Sequence, residues 1–272
     1  MIALPAQFLR GSYPPLVTPF RGDRVDCDAY ASLVDFQVRE GSHGIVVNGT
    51  TAEPSLLSVA ERKRLCEVAL QAAARRLPVV VATGSQSHAE TVELTEHAAA
   101  VGADALLVVT PYYVRPPQRG LVEYFADLAR RSPLPFLLYH IPGRAAVSVT
   151  LDTLSALAER APTFVGFKHA GDDLGLVTEA LAHFGSELRV MAGLEELSFP
   201  MLALGAAGLI NAVGNLAPRK VAALYRAVAE GKRRMNSDPS PTRLCTSMVP
   251  PCPFTIRWEM ARPSPVPLVF VV

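Results

Sequence analysis

Lys168 stands near the end of an apolar run, FVGFKHA at residues 164–170, where an ammonium group is costly to bury. Burial disfavours the charged ammonium relative to the neutral amine. A neutral amine can attack a ketone and form a Schiff base, and the resulting iminium stabilises a carbanion on the neighbouring carbon. The position of this lysine therefore predicts an aldolase or lyase that works through a lysine imine.

Hydroxyl-bearing and cationic side chains follow the ends of several other apolar runs. Tyrosine and threonine hydroxyls both donate and accept hydrogen bonds, so they can relay the protons that imine chemistry moves. A guanidinium can hold a substrate carboxylate through a bidentate pair. Taken singly, each residue has a structural interpretation as a surface charge, a packing ring or a turn former. The prediction rests on the whole set, which comprises Lys168, Thr50, Thr51, Tyr112, Tyr113, Tyr139 and Arg144.

Two histidines flank the candidate residues without suggesting a metal. His140 and His169 lack a partner at a spacing typical of metal ligands, and the four cysteines also lack paired spacing. We interpret both histidines as structural or orienting, and Asp172 and Asp173 as the start of the next helix. The sequence predicts no metal and no cofactor.

Eight short apolar runs alternate with helical patterns and would position these side chains. Continuous apolar runs are typical of strands covered on both faces, as in a parallel sheet. Eight such strands close a (β/α)8 TIM barrel, whose active-site rim is built at the carboxyl ends of the strands. An open doubly wound sheet usually has a glycine-rich turn after its first strand, which TPFRGDRVD does not provide. The runs lie at 14–20, 43–50, 78–84, 103–111, 134–141, 164–170, 189–194 and 208–213.

Helix boundaries follow from capping patterns. Ser58 with Glu61, and Ser87 with Glu90, have the spacing of a capping box. Another helix is predicted to begin at Thr150, and two helices are predicted to end at Gly102 and Gly231.

Composition changes sharply near the carboxyl end. Residues 1–232 are predicted to form the barrel domain, and 233–272 an irregular, proline-rich tail in which no long helix can form. One hypothesis for this tail is a shifted reading frame, which the other frames of the coding DNA would test.

Charge and hydropathy narrow the class of protein. The chain has 26 basic and 25 acidic residues and a net charge of +1, so its sequence does not indicate a basic surface that would bind nucleic acid or an anionic membrane. No apolar run reaches the roughly 20 residues of a membrane span, and the amino terminus lacks the pattern of a signal peptide. We therefore expect a cytoplasmic enzyme whose partners are small molecules and other copies of itself.

Five motifs together resemble the dihydrodipicolinate synthase and N-acetylneuraminate lyase family of class I aldolases. The resemblance covers roughly residues 10–232, and it implies the same barrel fold. It also implies that pyruvate is the ketone and that the chain is a homo-oligomer, either a dimer or a tetramer. The motifs are LVTPF (16–20), GTTAE (49–53), TPYYVRP (110–116), LYHIPGR (138–144) and GFKHA (166–170).

The resemblance also implies the roles of individual residues. Lys168 would form the imine with pyruvate, and Tyr139 would be the general acid/base beside it. Thr50, Tyr113 and Tyr139 would form a proton relay, with Tyr113 reaching across a subunit interface. Thr51 would help to receive the pyruvate carboxylate.

Two further roles concern substrate binding. Ile210 would contact pyruvate through its backbone, and Arg144 would bind the carboxylate of the second substrate. In the synthase branch of the family that substrate is L-aspartate 4-semialdehyde, and the product is 4-hydroxy-tetrahydrodipicolinate. The Thr50–Thr51 pair together with Arg144 favours this branch over the sialic-acid branch.

The chain departs from the family pattern where the second substrate binds. Ala52 replaces a glycine, Val114 an asparagine, and His169 an acidic residue, while Glu195 and Glu196 follow the seventh run. These changes leave open an aldolase for sugar acids or aromatic aldehydes. The altered carboxyl end leaves open a folded but catalytically impaired chain.

Overall fold

The computed structural model describes the backbone of residues 2–237 and the side chains of residues 2–231. Within this part of the chain, eight parallel strands follow one another around a single sheet, each paired with its neighbours in sequence, and the last pairs with the first. The strands are β1 (Gly11–Ser12), β2 (Ile45–Val47), β3 (Val79–Ala82), β4 (Ala105–Val109), β5 (Phe136–His140), β6 (Phe164–His169), β7 (Arg189–Ala192) and β8 (Gly208–Leu209).

The sheet closes between β1 and β2. The N–H of Val46 donates to the carbonyl of Pro14, and the N–H of Leu16 donates to the carbonyl of Val46, each at 2.9 Å. Pro15 also forms a parallel bridge with Val46. The eight strands therefore form the closed (β/α)8 barrel that the sequence predicts.

The first strand lies earlier than the sequence pattern predicts. The apolar run at 14–20 contains Pro14 and Pro15, which have no N–H to donate, so regular pairing is confined to Gly11–Ser12. The end of the run instead enters a small antiparallel hairpin, in which Phe20–Arg21 pairs with Arg24–Val25.

Helices surround the barrel and begin where the capping patterns place them. Ser58 forms a full capping box with Glu61, and the hydroxyls of Ser87 and Thr150 accept from backbone N–H groups in the first turns of their helices. The helices are α1 (Cys27–Arg39), α2 (Val59–Ala73), α3 (His88–Ala100), α4 (Gln118–Arg131), α5 (Pro142–Ala145), α6 (Leu151–Arg160), α7 (Gly175–Phe184), α8 (Ser198–Leu204) and α9 (Pro218–Ser237).

Helix α9 continues to Ser237, beyond the end predicted at Gly231. The extension KRRMNS contains good helix formers and no proline, so its sequence does not stop the helix. Residues 238–272, most of the predicted tail, lie outside the described residues, and the predicted domain boundary after residue 232 stays a prediction. No helix in the described part of the chain is long and apolar enough to cross a membrane.

Each strand of the barrel buries both faces. Val80, Leu107 and Leu137 pack inside the barrel, whereas their neighbours Val81 and Leu138 pack between the sheet and the helices. This alternation produces the continuous apolar runs of the sequence. Below the strands the interior is filled by Leu9 and Tyr13, where the N–H of Leu9 donates to the phenol oxygen at 3.0 Å. Functional side chains are therefore expected at the opposite end, which the carboxyl ends of the strands form.

Candidate active site

Lys168 lies on β6 inside the upper end of the barrel, and its side chain is only 5% exposed. Its partner in the pairing register is Tyr139 of β5, and its Nζ lies 4.1 Å from the centre of the tyrosine ring. No carboxylate among the described residues forms an ion pair with this amine. A buried amine beside a phenol ring is placed as a nucleophile that forms an imine would have to be.

A β-bulge turns Lys168 towards the interior. The register between β5 and β6 shifts by one residue at Val165, and Phe164 and Phe167 both pack in the outer core. Strict alternation from Phe164 would have placed residue 168 on that outer face as well. The extra residue reverses the phase. The position after the bulge is Gly166, where a side chain would collide with the backbone of β7.

Gly193, directly after β7, leaves space for the lysine side chain. A Cβ at this position would lie 2.8 Å from Cε of Lys168, closer than real Cβ contacts. The N–H of Gly193 also donates to the carbonyl of His169 at 2.7 Å, which fixes the two strands beside each other. Sequence analysis missed this glycine, although its place at the end of the run RVMAGL is a signal that could have found it.

The loop after β2 carries the two threonines. Thr50 and Thr51 are half-buried in a short 3₁₀ turn, Thr50–Ala52, and the hydroxyl of Thr50 donates to the phenol oxygen of Tyr139 at 3.4 Å. Asn48 adopts a left-handed conformation with φ 59°, which asparagine tolerates. Its side-chain amide donates to the carbonyl of Arg62 at 2.8 Å and anchors the loop to α2.

Arg62 is a second residue that sequence analysis missed. It is 3% exposed, donates to the carbonyls of Ala82 and Gly84 at 3.3 Å, and pairs with Glu90 at 3.4 Å. Burial lowers the pKa of its guanidinium. Arg62 therefore ties helix α2 to the end of β3 behind the threonine loop. On sequence alone it was one of several charges on a helix, and nothing marked it as buried.

The remaining predicted residues differ from these in their burial and contacts. Tyr113 is 87% exposed, has φ 73°, and makes no hydrogen bond with Tyr139 or Thr50 in the described chain. Arg144 is exposed in α5, the short helix after β5. Ile210 is buried in the inner core and its N–H donates to the carbonyl of Ala192 at 2.8 Å. One chain thus brings together Lys168, Tyr139 and Thr50.

Among the described residues, no group of three or more histidine, cysteine, aspartate or glutamate side chains could hold a metal ion.

Comparison with known proteins decides the family. The family model described as "Dihydrodipicolinate synthetase family" matches residues 8–239. The chain belongs to this family. The match covers all eight strands, so the resemblance drawn from the five motifs is confirmed, as is the barrel fold.

Individual relatives agree with this assignment to the dihydrodipicolinate synthetase family. A protein of Thermus thermophilus named 4-hydroxy-tetrahydrodipicolinate synthase is 45% identical over 82% of this chain and 75% of its own length. The crystal structure of dihydrodipicolinate synthase from Aquifex aeolicus is 39% identical, with a TM-score of 0.80 over 83% of this chain and 77% of that one. A Clostridium difficile structure in complex with mannosamine has a TM-score of 0.79 over 83% of this chain and 78% of that one, but at 23% identity it shows only the shared fold.

The positions that depart from the family pattern divide into two kinds. Ala52 is 1% exposed and does not adopt a left-handed conformation, so the threonine turn accommodates its methyl group. His169 is also buried, on the outer side of β6. By contrast, Val114 is 63% exposed on the loop after β4. Glu195 accepts from the N–H of Val213 at 3.1 Å, which joins the loops that follow β7 and β8.

Proposed function

We propose that this chain is a 4-hydroxy-tetrahydrodipicolinate synthase, which joins pyruvate to L-aspartate 4-semialdehyde through an imine on Lys168. The observation that carries the proposal is the buried amine 4.1 Å from the ring of Tyr139, whose phenol oxygen accepts from Thr50. The substrates are those of the synthase for which the Thermus thermophilus relative is named.

The first half of the reaction activates pyruvate. The neutral Nζ of Lys168 attacks C2 of pyruvate, a C–N bond forms, and the carbonyl oxygen leaves as water after taking up protons. The iminium withdraws electrons from C3, so the methyl group loses a proton and an enamine forms. Tyr139 is placed to transfer these protons, and Thr50 connects its phenol to the loop above.

The second half forms the new carbon–carbon bond. The enamine carbon attacks the aldehyde carbon of the second substrate, and the aldehyde oxygen takes up a proton. The amino group of that substrate then attacks C2, a ring closes, and the Lys168 amine is released. The enzyme ends in its starting state without a redox cofactor.

The carboxylates of both substrates need partners at the rim. Thr51, half-buried beside Thr50, would donate a hydrogen bond to the pyruvate carboxylate, with the backbone of Ile210 contacting the same substrate. Arg144 is exposed in the short helix α5 after β5, and its guanidinium could reach a carboxylate that enters from solvent.

The relay requires a second copy of the chain. Tyr113 is 87% exposed and its neighbour Val114 63% exposed, so the loop after β4 presents an apolar surface at the barrel mouth. We propose a homo-oligomer, a dimer or tetramer, in which Tyr113 enters the site of its neighbour and completes the relay. Acting on small metabolites in lysine biosynthesis, the enzyme would work in the cytoplasm.

A second candidate is a pyruvate aldolase with a different aldehyde substrate. The observation that favours it is the placement of the departures from the family pattern, since Val114 and Glu195 both lie on loops at the strand ends. These loops lie outside the buried amine and its phenol, so they could change the aldehyde without changing the chemistry on pyruvate.

The experiment is a trapping assay followed by a substrate panel. The protein is incubated with pyruvate and borohydride, and intact mass and peptide mapping locate the adduct. We expect one reduced adduct on Lys168, none in Lys168→Arg, and turnover of L-aspartate 4-semialdehyde above that of sugar-acid and aromatic aldehydes.

The outcomes separate the alternatives. A folded protein without adduct contradicts imine chemistry altogether. An adduct with greater turnover of another aldehyde supports the second candidate. An adduct without turnover of any aldehyde indicates an impaired chain, and the oligomeric state measured by sedimentation then shows whether assembly has failed.

A further inference from the structure

His140 and His169 form a buried pair directly beyond the catalytic residues. They are 4% and 2% exposed, and each is the last residue of its strand, β5 or β6. They are partners in the same register that pairs Tyr139 with Lys168. Their Nδ1 atoms lie 3.1 Å apart, at hydrogen-bond distance. Because neighbouring side chains of a strand alternate, the pair lies on the outer face while Tyr139 and Lys168 point inward.

A hydrogen bond between two Nδ1 atoms restricts the protonation of the pair. One imidazole must carry its proton on Nδ1 and the other must leave that atom free to accept. Either ring can be the donor of this bond, so the two neutral rings must be opposite tautomers.

The surroundings keep the pair neutral near pH 7. Burial, and then the neighbouring His169, lower the pKa of His140 to about 4. Burial also lowers the pKa of His169, against the carbonyls and carboxylates of the loop that follows β6. The charged side chains that act on the pair, among the described residues, are Asp172 and Asp173. Within the described part of the chain neither Nε2 atom has a hydrogen-bond partner, and the side-chain hydrogen bond of the pair is the one between the two rings.

We propose that His140 and His169 are positioning residues for the reaction, and that their hydrogen bond fixes Tyr139 against Lys168 from the outer face of the sheet. The inference rests on the proposed function, because it needs Tyr139 to act on the imine. The backbone already links the two strand ends, since the N–H of Ala170 donates to the carbonyl of His140 at 2.8 Å. The hydrogen bond between the two imidazoles is a second connection between β5 and β6. It restricts rotation of the strand ends about the backbone hydrogen bond.

Positioning at this place has a kinetic consequence. Proton transfer needs the phenol within hydrogen-bond reach of the reacting carbon, and small displacements from a productive geometry are costly. In the proposed mechanism, pyruvate binding depends instead on the threonine loop and on the backbone of Ile210. Loss of the bond should therefore lower kcat more than it raises KM for pyruvate.

The experiment compares two substitutions of His140. In His140→Leu the ring and its bond are lost, whereas in His140→Asn the amide nitrogen occupies nearly the position of Nδ1 and can still donate. We expect His140→Leu to lower kcat about 10- to 100-fold with KM for pyruvate changed less than about 3-fold. We expect His140→Asn to restore kcat to within about 3-fold of the parent. His43→Leu is the matched control, because His43 is a half-buried imidazole whose Nδ1 accepts from Ser12 at the other end of the barrel.

Several outcomes would overturn the inference. These are an unchanged kcat in folded His140→Leu, an equal loss in His140→Asn, and an equal loss of kcat in His43→Leu. If His140→Leu does not fold, the parent enzyme still gives a test, because nitrogen chemical shifts of the imidazoles report the tautomers. We expect one ring with its proton on Nδ1 and the other with its proton on Nε2, and two Nε2 tautomers would contradict the bond. Borohydride trapping of pyruvate is carried out with each variant that is assayed. If the parent enzyme forms no adduct, the proposed function is refuted. If all variants form the adduct and have equal kcat values, only the positioning role is refuted.

Discussion

The inside of the barrel mouth and its outer loops differ in how completely one chain builds them. Lys168 and Tyr139 are each 5% exposed, and the hydroxyl of Thr50 reaches the phenol from a turn anchored by Asn48. On the loops, Tyr113 is 87% exposed and Arg144 is exposed as well. The interior is thus preorganised, whereas the rim is not.

The difference separates the two halves of the proposed reaction. Imine formation with pyruvate depends on residues whose positions are fixed by the strands and the core. Recognition of the aldehyde and completion of the relay would depend on exposed side chains such as Tyr113 and Arg144. Interior substitutions should therefore lower activity strongly in any assembly state, whereas the effects of rim substitutions should depend on the substrate and on assembly.

The largest expected effect comes from removing the phenol of the interior group. Tyr139→Phe keeps the ring beside Nζ but removes the acid/base, so kcat should fall about 100- to 1,000-fold. The pyruvate adduct should still form under borohydride, only more slowly, because the nucleophile remains. Stopped-flow trapping and steady-state turnover measure the two effects. A variant with parental turnover would show that another group transfers the protons.

A smaller effect should follow from filling the space beside the lysine. In Gly193→Ala the new methyl group lies 2.8 Å from Cε of Lys168, 2.8 Å from Cβ of Ala170 and 2.9 Å from the carbonyl oxygen of His169, so the lysine or the strand that carries it must shift. We expect kcat/KM for pyruvate to fall about 10- to 100-fold, because misplacement of a reacting group is costly. Gly120→Ala is the matched control: the added Cβ would lie 3.5 Å or more from its neighbours on α4, so activity should be unchanged. Equal activities of the two variants would contradict the role given to Gly193.

The rim is tested by mixing two defective chains. Tyr113→Phe should lower kcat about 10-fold if its hydroxyl completes the relay, and Lys168→Ala should abolish turnover. If Tyr113 acts in the site of a neighbour, mixed assemblies contain sites with both an intact lysine and an intact Tyr113, and these should be fully active. Unfolding and refolding the two variants together should therefore give more activity than the sum of the separate chains. Simple additivity would place Tyr113 in its own site or outside the relay.

The barrel fold could be predicted from the sequence because several independent patterns indicated the same strands and helices. Apolar runs alternated with helical patterns, and the capping positions at Ser58, Ser87 and Thr150 were confirmed. The first strand was placed wrongly because an apolar run containing Pro14 and Pro15 looks like a regular strand, although it pairs with β2 only through an isolated bridge. The end of α9 was missed because Gly231 does not have to stop a helix whose following residues favour it.

The candidate active site could be predicted from the sequence only in part. Lysine, tyrosine and threonine at strand ends indicated the chemistry. Lys168 faces inward, however, because of the bulge at Val165. A one-residue change of register has no clear signal in the sequence. Gly193 and the histidine pair depend on distances between strands that are far apart in sequence. Such packing relations arise only when the barrel closes, so a single sequence does not display them.

The smallest expected effect is a pH dependence of the free energy of unfolding. It separates the contribution of the buried pair His140 and His169 from that of the surface carboxylates. The pKa of His140 is lowered to about 4 from its ordinary value near 6.5, chiefly by burial, so between these values the unfolded chain binds a proton that the folded chain does not. The contribution is complete above about pH 6.5 and is lost as the pH falls towards 4. At about 1.4 kcal/mol per unit, the free energy of unfolding should fall by at most roughly 3 kcal/mol.

Denaturant titrations at about pH 7, 6 and 5 would measure this loss before most carboxylates, with ordinary pKa values near 4, begin to titrate. The carboxyls of Asp35 and Asp127, whose pKa values are lowered by arginine partners, add to the loss only at still lower pH. His140→Asn has no imidazole at this position, so its stability should depend less on pH across the same range. A parent and variant with the same slope would mean that His140 is not held neutral by its burial, and that the pair on the outer face is open to water.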